Sequence, residues 1–116
     1  MGELVKILTV LSEGGGLDVY GRQVDGQWFF RMTMDDATPQ LLLGEDPIHA
    51  ESKWFSSFRK CLSACIYPWN RFHPVHVHPD FAGELYKLKL AQDKKEGGSR
   101  HVTEKWMRAC GVSPKQ

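Results

Sequence analysis

Three of the five histidines in this chain lie within one short segment, His-Pro-Val-His-Val-His-Pro, at residues 73–79. If this segment is extended, His76 and His78 point to the same side, and on a helix Cys61 and Cys65 share one face. Two thiolates and two imidazoles form a common ligand set for tetrahedral zinc. The spacing therefore suggests a zinc site of Cys61, Cys65, His76 and His78. The alternative is that the cysteines are small core residues and that the histidines bind no metal.

The end of the same segment also has the features of a helix start. Pro79 suits the first helical position, and Asp80 would face the positive end of the helix dipole. His78 then occupies the N-cap position, where its ring is held by the helix rather than offered to a metal ion. Of the three histidines in this segment, this interpretation leaves His73 and His76 without an assigned role.

Aromatic and arginine side chains surround those two histidines in a predicted loop from Tyr67 to Asp80. Such side chains are frequent anchors of protein interfaces. We therefore predict a contact surface for a protein partner or for a second copy of the chain. It consists of Trp69, Arg71, Phe72, His73 and His76. The alternative is that these rings close the core beneath the loop, since large aromatic side chains are usually mostly buried.

No local motif indicates catalysis. Chance alone explains a pairing of one of three cysteines with one of five histidines. The segment Ser12-Glu13-Gly14-Gly15-Gly16 lacks the Gly-Lys-Ser/Thr end of a phosphate loop, and its glycines are better explained as turn residues with positive φ. We predict no catalytic residue and no cofactor.

The elements that must position these residues begin with three strands. Residues 3–12 form a nearly continuous apolar run, which is typical of a central strand. Residues 17–22 and 28–34 alternate between apolar and polar side chains, and Asp25-Gly26 is a favoured hairpin turn between them. On the third strand Trp28, Phe30, Met32 and Met34 share the face that we expect the helices to cover. The pattern predicts an antiparallel meander, followed by a loop-rich crossover in residues 35–53.

Three helices follow in the prediction. The first carries Phe55, Phe58, Leu62 and Cys65 at helical spacing, with Ser56 or Ser57 as its cap and Pro68 as its end. The second runs from Pro79 to about Lys95, with an apolar stripe of Phe81, Leu85, Leu88 and Ala91. The third is capped by Ser99 and ends at Gly111, with Val102, Trp106 and Cys110 on one face. The predicted fold is one α+β domain spanning residues 1–116, with a three-stranded meander packed on one face by helices.

Composition limits the partners and the compartment. An odd count of 3 cysteines suits a reducing cytoplasm, and residues 4–11 are too short an apolar run to span a membrane. Residues 1–52 carry a net charge of −6 and residues 53–116 one of +7, from 3 bases against 9 acids and 12 bases against 5 acids. The acidic half and the pI near 7.8 argue against nucleic acid. Weak binding of nucleic acid through the basic C-terminal helices is kept as an alternative. Its residues would be Arg59, Lys60, Lys87, Lys94, Lys95, Arg100, Lys105 and Arg108.

Several segments together resemble a family of small uncharacterised bacterial proteins of the cytosol. They are residues 12–16 (SEGGG), the aromatic third strand, residues 67–69 (YPW), residues 77–81 (VHPDF) and the terminal helix from Trp106 to Gly111. No activity is established for that family, so the resemblance implies only a bacterial cytoplasmic protein. We expect a non-catalytic protein-interaction module, with zinc binding and weak nucleic-acid binding as alternatives.

Overall fold

A computed structural model describes residues 3–13, 15–34, 42–48, 54–65 and 72–108, with the side chains of all of these except Cys65. The order is β1 (Val5–Ser12), β2 (Gly15–Val24), β3 (Gln27–Met34), α1 (Phe58–Cys65), β4 (His73–Val77), α2 (Pro79–Lys95) and α3 (Arg100–Arg108). This confirms the predicted α+β class, with an N-terminal antiparallel meander and C-terminal helices. Within the same residues, no helix has the length and apolar character that crossing a membrane requires.

The meander consists of two tight hairpins. Asp25 and Gly26 connect β2 to β3 with φ angles of 53° and 81°, as a type I′ turn requires at both central positions. At the other hairpin Ser12 pairs with Gly15, whose φ of 130° favours glycine. The expectation that the glycines of residues 12–16 are turn residues with positive φ is thus confirmed at Gly15.

The predicted loop around the histidines was wrong for residues 73–77, which form the fourth strand. β4 pairs antiparallel with β1, and the sheet order is β3-β2-β1-β4. Pro74 lacks an N–H and is accommodated because β4 lies at the edge of the sheet, where one side of the strand needs no partner. A register shift leaves Val75 unpaired between Pro74 and His76, and beyond the strand the His78 amide donates to the Ile7 carbonyl at 2.7 Å.

The helices match the prediction with local differences. α1 begins at Phe58 rather than Phe55, because the Phe55 backbone pairs with Phe30 of β3 instead. Ser57 is the cap, since its hydroxyl accepts a hydrogen bond from the Lys60 amide at 3.3 Å. α2 has the predicted bounds.

One face of the sheet and the helices enclose the main core. Phe30 of β3, Phe58 of α1 and Phe81 of α2 contact one another with ring centroids 5.3 to 5.6 Å apart. Ile7 and Leu8 are consecutive and both belong to this core, because the ladder of β1 and β2 shifts register between Lys6 and Leu8. The core thus contains residues from all four strands and from the helices.

The second face of the sheet is partly covered by the chain's own crossover. Leu42 and Trp54 pack against Tyr20 to form a smaller buried cluster. The Arg22 guanidinium donates to the backbone carbonyls of Leu42 and Glu45. Only the part of this face that Leu42 and Trp54 leave uncovered is therefore accessible to a partner.

Candidate functional site

The four predicted zinc ligands occupy different surroundings. Cys61 has no exposed area and lies in the core on the helix side of the sheet. His76 is exposed and pairs with Thr9, whereas the neighbouring Val77 faces the core with Leu8. Since successive side chains of a strand point to opposite faces, Cys61 and His76 lie on opposite sides of the sheet. The structure does not bring them together. Among the described side chains, which exclude that of Cys65, no three His, Cys, Asp or Glu residues are grouped to hold a metal ion.

His78 is the N-cap of α2, as predicted. Its Nδ1 accepts a hydrogen bond from the Asp80 amide at 3.1 Å, and its ring meets the edge of Phe81 with centroids 6.0 Å apart. This bond satisfies one of the amides that a helix start leaves without an intrahelical partner. The hydrogen bond from Asp80 and the contact with Phe81 both fix the position of the His78 ring.

The five predicted contact residues differ in their surroundings. Trp69 and Arg71 lie outside the described residues. Phe72 is partly buried against the core, and its carbonyl accepts a hydrogen bond from Trp106 Nε1 at 2.8 Å. His73 and His76 are exposed in β4. Each of these neighbouring residues, Phe72 and His73, lines a different recess of the surface, Phe72 the first and His73 the second.

The first recess is an apolar groove of about 470 Å³, which we call the Met34 groove. Its floor is the end of the sheet on the helix side, where Met34 of β3 pairs with Leu17 of β2. Met34 is 64% exposed, although its strand position matches that of the buried Phe30. The groove is lined by Ser12, Gly15, Gly16, Leu17, Met32, Met34 and Phe72.

The second recess, which we call the Lys89 cavity, has a volume of about 450 Å³ and lies between α2, α3 and the start of β4. It contains both apolar and charged side chains. The lining consists of His73, Pro74, Lys89, Asp93, Glu96, Gly98, Val102, Lys105 and Trp106. It shares no lining residue with the Met34 groove.

A buried polar network forms one wall of the Lys89 cavity. Lys89 is 2% exposed, and its ammonium donates to Asp93 Oδ1 at 2.5 Å. The other oxygen of Asp93 accepts from the Thr103 hydroxyl at 2.6 Å, and Thr103 has no exposed area. The ammonium also lies 5.3 Å from the Trp106 ring, within the range of a cation–π contact. Each oxygen of the buried carboxylate therefore has a donor, as a buried charge requires.

Sequence reasoning missed this network. The predicted stripe of α2 is confirmed at Phe81 and Leu85 and in part at Leu88, which is half-buried against the core. It was wrong at Ala91, which is exposed, and it did not include Lys89 and Asp93, which are buried. The one available signal was the constant spacing of four residues from Phe81 to Asp93, which continues a single helix face. Charged residues in helices usually face water, and the pattern gives no reason to bury these two.

The face assigned to α3 was also partly wrong. Thr103 and Met107 are its buried residues, Trp106 is half-buried and Val102 is 48% exposed. Cys110 lies outside the described residues. The helix is therefore rotated from the predicted orientation, so that Thr103 meets Asp93 and Val102 lines the Lys89 cavity.

Another charged pair, Arg31 and Glu45, lies on the second face of the sheet, where the crossover covers it. Burial lowers the pKa of the Arg31 guanidinium, which is paired with the Glu45 carboxylate. The pair links β3 to the crossover, next to the Arg22 contacts. Its position indicates a structural role, because it fastens the crossover to the sheet.

Comparison with known proteins adds no assignment. No protein-family model matches the chain, and searches of curated proteins and of solved structures found no significant match. The candidate functional sites are therefore the two recesses, the one lined by Phe72 and the one lined by His73.

Proposed function

We propose that the protein is a non-catalytic interaction module, and that its contact surface is the Met34 groove with the adjoining edge of β4. The observation that supports this proposal most is the exposure of apolar side chains at one end of the sheet. Met34, Leu11 and Val75 are 64%, 46% and 48% exposed there. Single exposed apolar residues need no explanation, but a group around an apolar recess is typical of a contact surface.

The strand register places these residues at one end of the sheet. Met34, Leu17, Val10 and Pro74 follow one another across the four strands in a single row. Leu11 belongs to the next row, opposite Gly16 and His73, so its side chain lies on the other face of the sheet. Val75 is the unpaired residue next to Pro74. Met34 therefore belongs to the groove itself, and Leu11 and Val75 extend the exposed apolar surface beyond it.

The chemistry of the groove favours an apolar side chain of a protein as the occupant. Its lining contains no charged residue, and its glycines leave the backbone accessible. Methionine side chains are flexible and polarizable, so Met32 and Met34 can adapt to partners of different shape. The edge of β4 adds exposed polar groups at His73 and His76, which suits the rim of an interface.

Site-specific photo-cross-linking tests this proposal. A benzophenone amino acid is introduced at Met34, and the control carries it at Ile48, which is also apolar and is 57% exposed but lies in the crossover. We expect one discrete cross-linked product in cells from position 34 and none from position 48. Mass spectrometry identifies the product as another protein or as a second copy of the chain.

The product must also depend on the groove. We expect M34E to weaken binding of the identified partner at least about tenfold, because a charge would be buried in an apolar interface, and I48E to leave it unchanged. Equal cross-linking from both positions, or no discrete product from either, would overturn the proposal. Undiminished binding of the identified partner to M34E would overturn it as well.

A further inference from the structure

The Lys89 cavity shares no lining residue with the Met34 groove, so its ligand can be considered separately. We infer that this cavity binds a small organic anion, with a carboxylate attached to a flat apolar body. Its volume of about 450 Å³ lies within the range of small-molecule sites, which is roughly 300–1,000 Å³. The lining also has the composition of such sites, since apolar walls surround a few charged groups.

The preference for an anion follows from which charges of the cavity are already engaged. Both oxygens of Asp93 accept hydrogen bonds from the chain, and Glu96 accepts one from the Gln92 side chain. The ammonium of Lys89 has three donors, of which Asp93 uses one. At the rim, the side chains of Lys105 and His73 are exposed and have no hydrogen-bond or ion-pair partner among the described residues. Apart from the second carboxylate oxygen of Glu96, the unused capacity is therefore on the side of the donors.

The buried position of Lys89 strengthens its interaction with a ligand. The side chain is 2% exposed and is held by Asp93, so its ammonium is already ordered and largely removed from water. A carboxylate that enters the cavity meets ordered N–H donors in surroundings of low dielectric constant, where hydrogen bonds are stronger than in water, although Asp93 balances most of the ammonium's charge. Lys105 lies where it can attract the same group from solvent.

The apolar walls favour a flat ligand body. The Trp106 ring is fixed by the hydrogen bond from its Nε1 to the Phe72 carbonyl at 2.8 Å, so it offers a face of defined orientation. Val102, which is 48% exposed, and the buried ring of Pro74 complete the apolar part of the lining. An aromatic ring can stack against Trp106 while its carboxylate reaches Lys89 or Lys105.

The test uses 2-naphthoate as the probe, with the neutral 2-naphthamide and inorganic phosphate as matched comparisons. Titrations are followed by calorimetry and by the NMR signal of the Trp106 indole. We expect saturable binding of naphthoate with a shift of that signal, and at least about tenfold weaker binding of the amide. Phosphate, which lacks the ring, should not shift the Trp106 signal. Equal binding of the amide, or equal binding of phosphate, would overturn the inference.

Variants locate the binding without disturbing the buried network. V102W should fill the cavity from an exposed position and abolish naphthoate binding, whereas I48W should leave it unchanged. K105Q should weaken it several-fold, in contrast to K87Q, since Lys87 is exposed on α2 outside the lining. Binding that persists in V102W would overturn the inference. M34E should retain naphthoate binding, which separates this result from the test of the Met34 groove.

Discussion

The Met34 groove and the Lys89 cavity are similar in volume and are lined by consecutive residues, Phe72 and His73, yet they differ in the character of their side chains. The groove has no charged residue in its lining, and its most prominent side chain is 64% exposed. The cavity contains Lys89, Asp93, Glu96 and Lys105, and the first two are almost completely buried. Met34 is mostly exposed and contributes little to the core, whereas Lys89 and Asp93 help to hold α2 and α3 together. Substitution of Met34 should therefore separate binding from stability, whereas substitution of Lys89 or Asp93 should affect both.

The largest expected effect is the loss of Asp93. D93A leaves the buried Lys89 ammonium and the Thr103 hydroxyl without their acceptor, and breaking a buried ion pair in this way costs about 3–5 kcal/mol. Denaturant unfolding measures the change in free energy. The double variant K89M/D93L should recover at least half of the loss, since it replaces the pair with apolar side chains of similar size. A D93A protein as stable as the wild type would show that the network is not a structural element.

A smaller effect is expected when only the hydroxyl of Thr103 is removed. T103V keeps the shape but leaves Asp93 Oδ2 without its donor, for a loss of about 1–3 kcal/mol in the free energy of unfolding. T33V is the matched control, because the buried hydroxyl of Thr33 has no hydrogen-bond partner in the part of the chain that the structure describes. The control should be neutral or slightly stabilising. Similar losses in the two variants would argue against a specific bond to Asp93.

The smallest effect on stability is expected in the groove. M34E changes a side chain that is 64% exposed, so the free energy of unfolding should stay within about 0.5 kcal/mol of the wild type. The same variant should lose binding of the partner. A loss of stability as large as that of T103V would mean that Met34 belongs to the core, and the contrast between the two recesses would no longer hold.

Local signals in the sequence were enough for most of the fold. The Asp25-Gly26 turn, the alternation in β2 and β3, and the start of α2 at His78 and Pro79 each depend on neighbouring residues. β4 was missed because Pro74 weakens the strand signal, and because its partner is β1, far away in the chain. Pairing of this kind leaves no local trace.

The candidate sites were predicted only in part. Phe72 and His73 were identified from the aromatic and histidine content of their segment, and each of them lines one of the two recesses. Burial of Lys89 and Asp93 depends on α3 packing against α2, which the periodicity of α2 alone does not contain. Lys89 and Asp93 were therefore not predicted to be buried, because charged residues of helices usually face solvent.

The most direct test of the proposed function is the NMR spectrum of the protein labelled at its methionine methyl groups. It is recorded with and without the partner that cross-links to position 34. Among the described residues, Met32 and Met34 line the groove, whereas Met107 has no exposed area in the core and serves as an internal control. We predict that the signals of Met32 and Met34 shift on binding and that the signal of Met107 does not. Binding that shifts Met107 and leaves Met34 unchanged would contradict the assignment of the contact surface to the Met34 groove.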